Sequence, residues 1–102
     1  MRKDADIVIS LNTTTSPPTV EVTDYNARVS HGGKVTWTCE KHPFAILFKN
    51  DTPFDKLAYA GDPGEKVGVQ VKKQPGEYEY EVAVTCTKAP QPALLDPKII
   101  VE

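Results

Sequence analysis

Two cysteines, two histidines and a run of three glutamates are the residues whose chemistry would matter if the fold assembled them. Cys39 and Cys86 are far apart in the chain and fit no CxxC metal or redox spacing. His31 stands beside Gly32-Gly33, which reads as an exposed turn. His42 precedes Pro43 at a strand start, where the backbone is held extended. A metal wants three or four convergent ligands, so each histidine reads first as a surface or capping residue. Glu77, Glu79 and Glu81 repeat at period two and in a strand would line one face about 7 Å apart. Such a face can chelate calcium or pair with lysines, and Lys72 and Lys73 are close in sequence. A solvated strand face is the commoner meaning. No nucleophile elbow or zinc motif occurs. Ser30 has a histidine next to it, but adjacent strand residues point apart, and Ser10 and Ser16 have none nearby. The expectation is a protein that is not an enzyme.

The 102 residues suit one domain spanning 1–102, with roughly two-thirds of the unfolded surface buried. Apolar residues make up 39%, too many for a disordered segment, and no run is long enough to span a membrane. The net charge of −2, with acids and bases interspersed, argues against a nucleic-acid or anionic-membrane surface. Met1-Arg2-Lys3-Asp4 and the broken apolar run after it carry no signal-peptide pattern. That leaves a cytoplasmic protein, or an extracellular or periplasmic one whose leader has been removed. Asn12-Thr13-Thr14 and Asn50-Asp51-Thr52 match the glycosylation acceptor pattern, the second weakened by Pro53, and do not establish secretion.

The elements that must position these residues read as strands. Ile7, Ile9 and Leu11 alternate with polar or small residues, as do Val20 and Val22, then Val35, Trp37 and Cys39, then Val67, Val69 and Val71. Phe44 to Phe48 is continuously apolar. Tyr78, Tyr80, Val82, Val84 and Cys86 hold one face for five period-2 positions, and Ile99 to Val101 closes the chain. Turns separate the runs at His31-Gly32-Gly33, Asp62-Pro63-Gly64 and Gln74-Pro75-Gly76-Glu77, the last with a type II signature. One helical turn is expected from Thr52 through Tyr59, with Thr52 as cap and Pro53 at the first helical position. About seven short strands so punctuated read as an all-β, two-sheet sandwich with Trp37, Ile46, Phe48, Tyr80 and Val82 in its core.

From residue 29 onward the order of features resembles a cupredoxin. Gly33-Lys34-Val35-Thr36-Trp37 is similar to that family's Gly-x-Val-x-Trp strand. Phe44-Ala45-Ile46-Leu47-Phe48 is similar to the next one, which opens with a histidine ligand in copper-binding members. Gln74 to Tyr80 resembles the Pro-Gly-x-Tyr-x-Tyr approach to the ligand loop, and Asp96 to Val101 the last strand. The resemblance implies a Greek-key sandwich. It places the first histidine position on Phe44, the cysteine position on Val82 and the second histidine on Thr85. No methionine follows, Met1 being the only one. A blue-copper site needs two imidazoles, a thiolate and a weak axial ligand, so no copper and no other cofactor is expected. An immunoglobulin-like sandwich fits less well, because Trp37 precedes Cys39 instead of following a first cysteine.

The resemblance also implies that the strands carrying Cys39 and Cys86 end on the same side of the sandwich. The two can then form a disulfide, worth about 4 kcal/mol on the loop-entropy account, or stay as two buried thiols. The resulting expectation is a non-catalytic binding or structural module without a copper site, acting on an unknown protein or small ligand. The alternative is a metal-binding or electron-transfer protein with an atypical site using His42 and Cys86.

Overall fold

The computed structural model describes residues 3–15, 18–85 and 92–102. Among them the chain forms ten strands: β1 (Ala5–Asn12), β2 (Thr19–Val22), β3 (Asn26–Val29), β4 (Lys34–Thr38), β5 (Phe44–Phe48), β6 (Ala58–Gly61), β7 (Lys66–Gln70), β8 (Gly76–Val84), β9 (Ala93–Leu95) and β10 (Lys98–Val101). One sheet runs β2-β1-β4-β7. The other runs β3-β10-β8-β5-β6, with β9 added beside β8. β1 pairs with β4 and β3 with β10 in parallel, and the remaining pairs are antiparallel. β8 takes two partners on one edge, β10 along Gly76–Glu79 and β9 along Val82–Val84. Among the described residues no helix is long and apolar enough to cross a membrane.

The period-2 runs predict the core well. Trp37, Ile46, Tyr80 and Val82 are fully buried and Phe48 nearly so. Trp37, Phe48, Phe54 and Tyr80 meet ring to ring with centroids 5.2–5.8 Å apart. Such pairs add about 0.5–1.5 kcal/mol each beyond area burial. The indole N–H of Trp37 donates to the Tyr80 hydroxyl at 3.3 Å, which satisfies both polar groups inside the core.

Three readings are corrected. The chain has β3, β6 and β9 besides the seven expected strands. The segment after Thr52 is not helical: Thr52 Oγ1 accepts the Phe54 N–H at 3.1 Å as a cap would, but the chain then buries Phe54 and moves directly into β6. The Pro75-Gly76 turn is not type II, since the glycines with positive φ are Gly32 and Gly64, and Gly76 already opens β8. That connection carries the chain from one sheet to the other, with Val71 buried between them.

Candidate functional site

β4 runs out at Thr38, and Cys39 to Pro43 carries the chain across to β5 in the facing sheet. The crossing is anchored by two backbone bonds. Gly64 N–H donates to the Cys39 carbonyl at 2.8 Å, and Thr85 N–H donates to the Pro43 carbonyl at 3.1 Å. β4 and β8 therefore finish at one end of the sandwich, as the cupredoxin resemblance implies. Cys39 is 1% exposed and its thiol is free. Cys86, the other half of the expected disulfide and of the atypical metal pair, lies outside the described residues.

The register refines the expected ligand positions. Phe44 lies opposite Val84, while Val82 lies opposite Ile46. This register goes with Phe48 packed against Tyr80 in the core, opposite it on the nine-residue β8. Phe44, Val82 and Val84 are all buried apolar side chains, and Thr85 is exposed. His42 is half-buried at this end. His31 sits in the turn before β4, at the opposite end. The strand between them alone spans about 13 Å (four steps of about 3.3 Å). Among the described residues no group of three or more His, Cys, Asp or Glu converges as a metal site.

Beside the crossing is a cavity of about 180 Å³, lined by Val8 to Leu11 of β1 and by Cys39 to His42. Cys39 is buried in its floor, while Glu40 and Lys41 are exposed at the rim. It exists because β1 is longer than its neighbour: the β1–β4 register stops at Val8↔Thr38, and β1 continues to Asn12 with only β2 beside it. Reading the sequence for chemical side chains misses Ile9 and Leu11, whose contribution here is backbone.

The glutamate stripe is a solvated face. Glu77 and Glu79 are exposed and Glu81 half-exposed. Lys98 Nζ bonds Glu77 Oε1 at 2.8 Å, and that hydrogen bond, reinforced by the charge of Lys98, holds the Glu77 carboxyl below the usual carboxylate range. Lys72, expected near the stripe, pairs instead with Asp55 at 3.4 Å. A backbone hydrogen bond, and after it the charge of Lys72, holds Asp55 low. Among the described residues the one strongly shifted group is in the core: burial pushes the Tyr80 phenol up to about 12. None of these groups faces the cavity.

No known family profile and no curated protein matches the sequence. The fold is similar to that of a purple cupredoxin from Nitrosopumilus maritimus, with a TM-score of 0.61 and 20% identity over 97% of this chain and 100% of that one. It is also similar to a pseudoazurin from Sinorhizobium meliloti, with a TM-score of 0.53 and 19% identity over 97% of this chain and 74% of the other. At these identities the likeness concerns the fold, which is a cupredoxin-like β-sandwich.

Proposed function

We propose that this domain is a non-catalytic binding or structural module on a cupredoxin-like sandwich, with apolar packing where the fold's copper site would be. The observation that carries this reading is the Phe44–Val84 pair, which brings two buried hydrocarbon side chains together at the end of β8. The residues present do not fit a blue-copper ligand set. Such a set needs two imidazoles within about 2 Å of one ion, and the two histidines of the chain stand at opposite ends of β4. The shifted titratable groups also favour a non-catalytic role: they are exposed ion pairs, core-packed Tyr80 and tyrosines raised mainly by burial.

Titration of Cu(II) into the reduced protein, followed by metal analysis after desalting, tests the reading. The expected result is no retained stoichiometric copper and no intense visible copper–thiolate absorption. Retained copper with such a band, lost in His42→Ala, would replace the module reading with the atypical site using His42 and Cys86.

A further inference from the structure

Strands alternate the direction of their backbone groups, so one hydrogen bond fixes which side every residue of β1 faces. Thr23 N–H donates to the Val8 carbonyl at 3.1 Å, and Val8 N–H donates to Thr23 Oγ1 at 3.0 Å. The backbone of Val8, and with it that of Ser10, is directed at the β2 side. The backbone groups of Ile9 and Leu11 are therefore directed to the other side, where β4 lies only as far as Thr38. Among the described residues no backbone hydrogen bond outside the ladders reaches Leu11 on that side, and the crossing residues Glu40 to His42 supply none. Among the described residues the N–H and C=O of Leu11 have no partner on that side, while β2 pairs along the opposite edge from Ile9 to Asn12.

We propose that this open half of β1 is a β-augmentation site, where an extended peptide segment of a partner protein pairs with Ile9–Leu11 and seats one apolar side chain in the adjoining cavity. The inference rests on the binding-module reading and names its partner class. A peptide backbone is the ligand that matches a strand edge, because it offers donors and acceptors at the same two-residue spacing. The cavity of about 180 Å³ has Cys39 in its floor and half-buried Leu11 on its wall, and can take a single aliphatic or aromatic side chain. Its rim of Glu40, Lys41 and His42 offers polar groups of both signs for orienting the segment. Outer edge strands such as β7 also carry unpaired backbone groups, but this edge adjoins a buried apolar floor.

The test uses a display library of random seven-residue peptides selected on the whole protein, with the enriched peptides synthesised and titrated into ¹⁵N-labelled protein. The expected result is that enriched peptides contain an apolar anchor, shift the amide signals of Ile9, Leu11 and the Cys39–His42 crossing, and slow hydrogen exchange at Leu11. N-methylation of the peptide at a paired amide then weakens binding by about tenfold for one lost hydrogen bond. Leu11→Pro removes the free donor without touching the β1–β2 ladder, and its expected effect is loss of peptide binding with the near-ultraviolet spectrum retained. If that variant misfolds, the N-methyl series and Leu11 exchange on the unaltered protein still decide. Failure to enrich any peptide, shifts confined to another edge, or indifference to N-methylation would each overturn the proposal. So would concentration-dependent shifts at Leu11 without peptide, which would assign the edge to a second copy of this chain. Copper absorption reads the module hypothesis and amide signals read this one, so the two fail separately.

Discussion

The two ends of the sandwich are built from the same strands and finished in opposite ways. At the end holding the β3–β4 turn, backbone and side chains tie one another down. Lys3 and Ser30 exchange two bonds, Gly32 N–H donates to Val71 O, Val71 N–H donates to Gly33 O, and Lys72 N–H donates to Pro53 O. Gly32, at φ 81°, lets the chain turn tightly enough to make those bonds. At the other end β4 stops short, the crossing to β5 rests on the bonds of Cys39 and Pro43, and a cavity opens beside a stretch of β1 that β4 no longer pairs. At the first end these five bonds tie the chain to itself. The second sets an apolar cavity beside backbone groups of β1 that no bond among the described residues takes up. The cupredoxin resemblance places the ligand positions at that open end.

The largest expected effect tests whether the closed end carries the stability. Phe54 lies there, buried against Trp37, Phe48 and Tyr59. Phe54→Ala should cost about 3–5 kcal/mol in urea unfolding. Cys39→Ala at the open end removes one small buried group and should cost on the order of 1 kcal/mol. Equal costs would erase the distinction between the ends.

Gly33→Ala probes how tightly the closed end is made. A Cβ at Gly33 would stand 2.2 Å from the Lys3 carbonyl oxygen and 2.9 Å from that of Ser30. Both are backbone atoms already engaged, the Lys3 oxygen by the Ser30 N–H and the Ser30 oxygen by the N–H of Gly33 itself, so neither can yield cheaply. The substitution should destabilise by about 1–3 kcal/mol, with its largest amide shifts at Lys3 and Ser30. A neutral result would mean that this end is as adaptable as the other.

Between the ends, Tyr80 makes the shared core sensitive to alkali. Its phenol is pushed up to about 12 in the folded protein by burial, against about 10 when unfolded. The folded state thus keeps a proton that the unfolded state releases. The stability involved is complete below pH 10 and is lost as pH rises toward 12. Over two units the loss is about 2–3 kcal/mol. Unfolding free energies measured from pH 9 to 12 should fall more steeply for the native protein than for Tyr80→Phe, which has no proton to lose. Parallel curves would assign the alkaline sensitivity to other groups.

How much of this was legible in the sequence follows from how local each signal is. Trp37, Ile46, Phe48, Tyr80 and Val82 sit in strong alternating or continuous apolar runs, and those runs are the core. β6 reads Ala-Tyr-Ala-Gly and β9 is three residues long, so neither has a pattern of its own. They become strands because β5 and β8 offer edges to pair with. Phe54 was hidden behind a helix cap at Thr52 that caps no helix. Cys39 and His42 were visible as chemistry, and the end they share followed from the order of strands. That no described residue bonds Leu11 on the β4 side was not visible, because it depends on the stagger between β1 and β4.

The smallest expected effect confines the comparison to the ends. Lys98 and Glu77 bond at 2.8 Å on the outer face of the second sheet, both partly or largely exposed. Water and salt screen such a pair, so Lys98→Ala should leave the urea midpoint at pH 7 close to that of the native protein. What the pair contributes has a definite pH window. Glu77 is held below the usual carboxylate range by the Lys98 hydrogen bond and charge. Its contribution is therefore present above the unfolded carboxylate value, about 4.3, and disappears as pH falls through the lower folded one. The difference between native protein and Lys98→Ala should accordingly be greatest at neutral pH and low ionic strength, and should vanish in acid or in molar salt. A midpoint shift that survives molar salt would show that Lys98 works through packing of its methylene stem rather than through its charge.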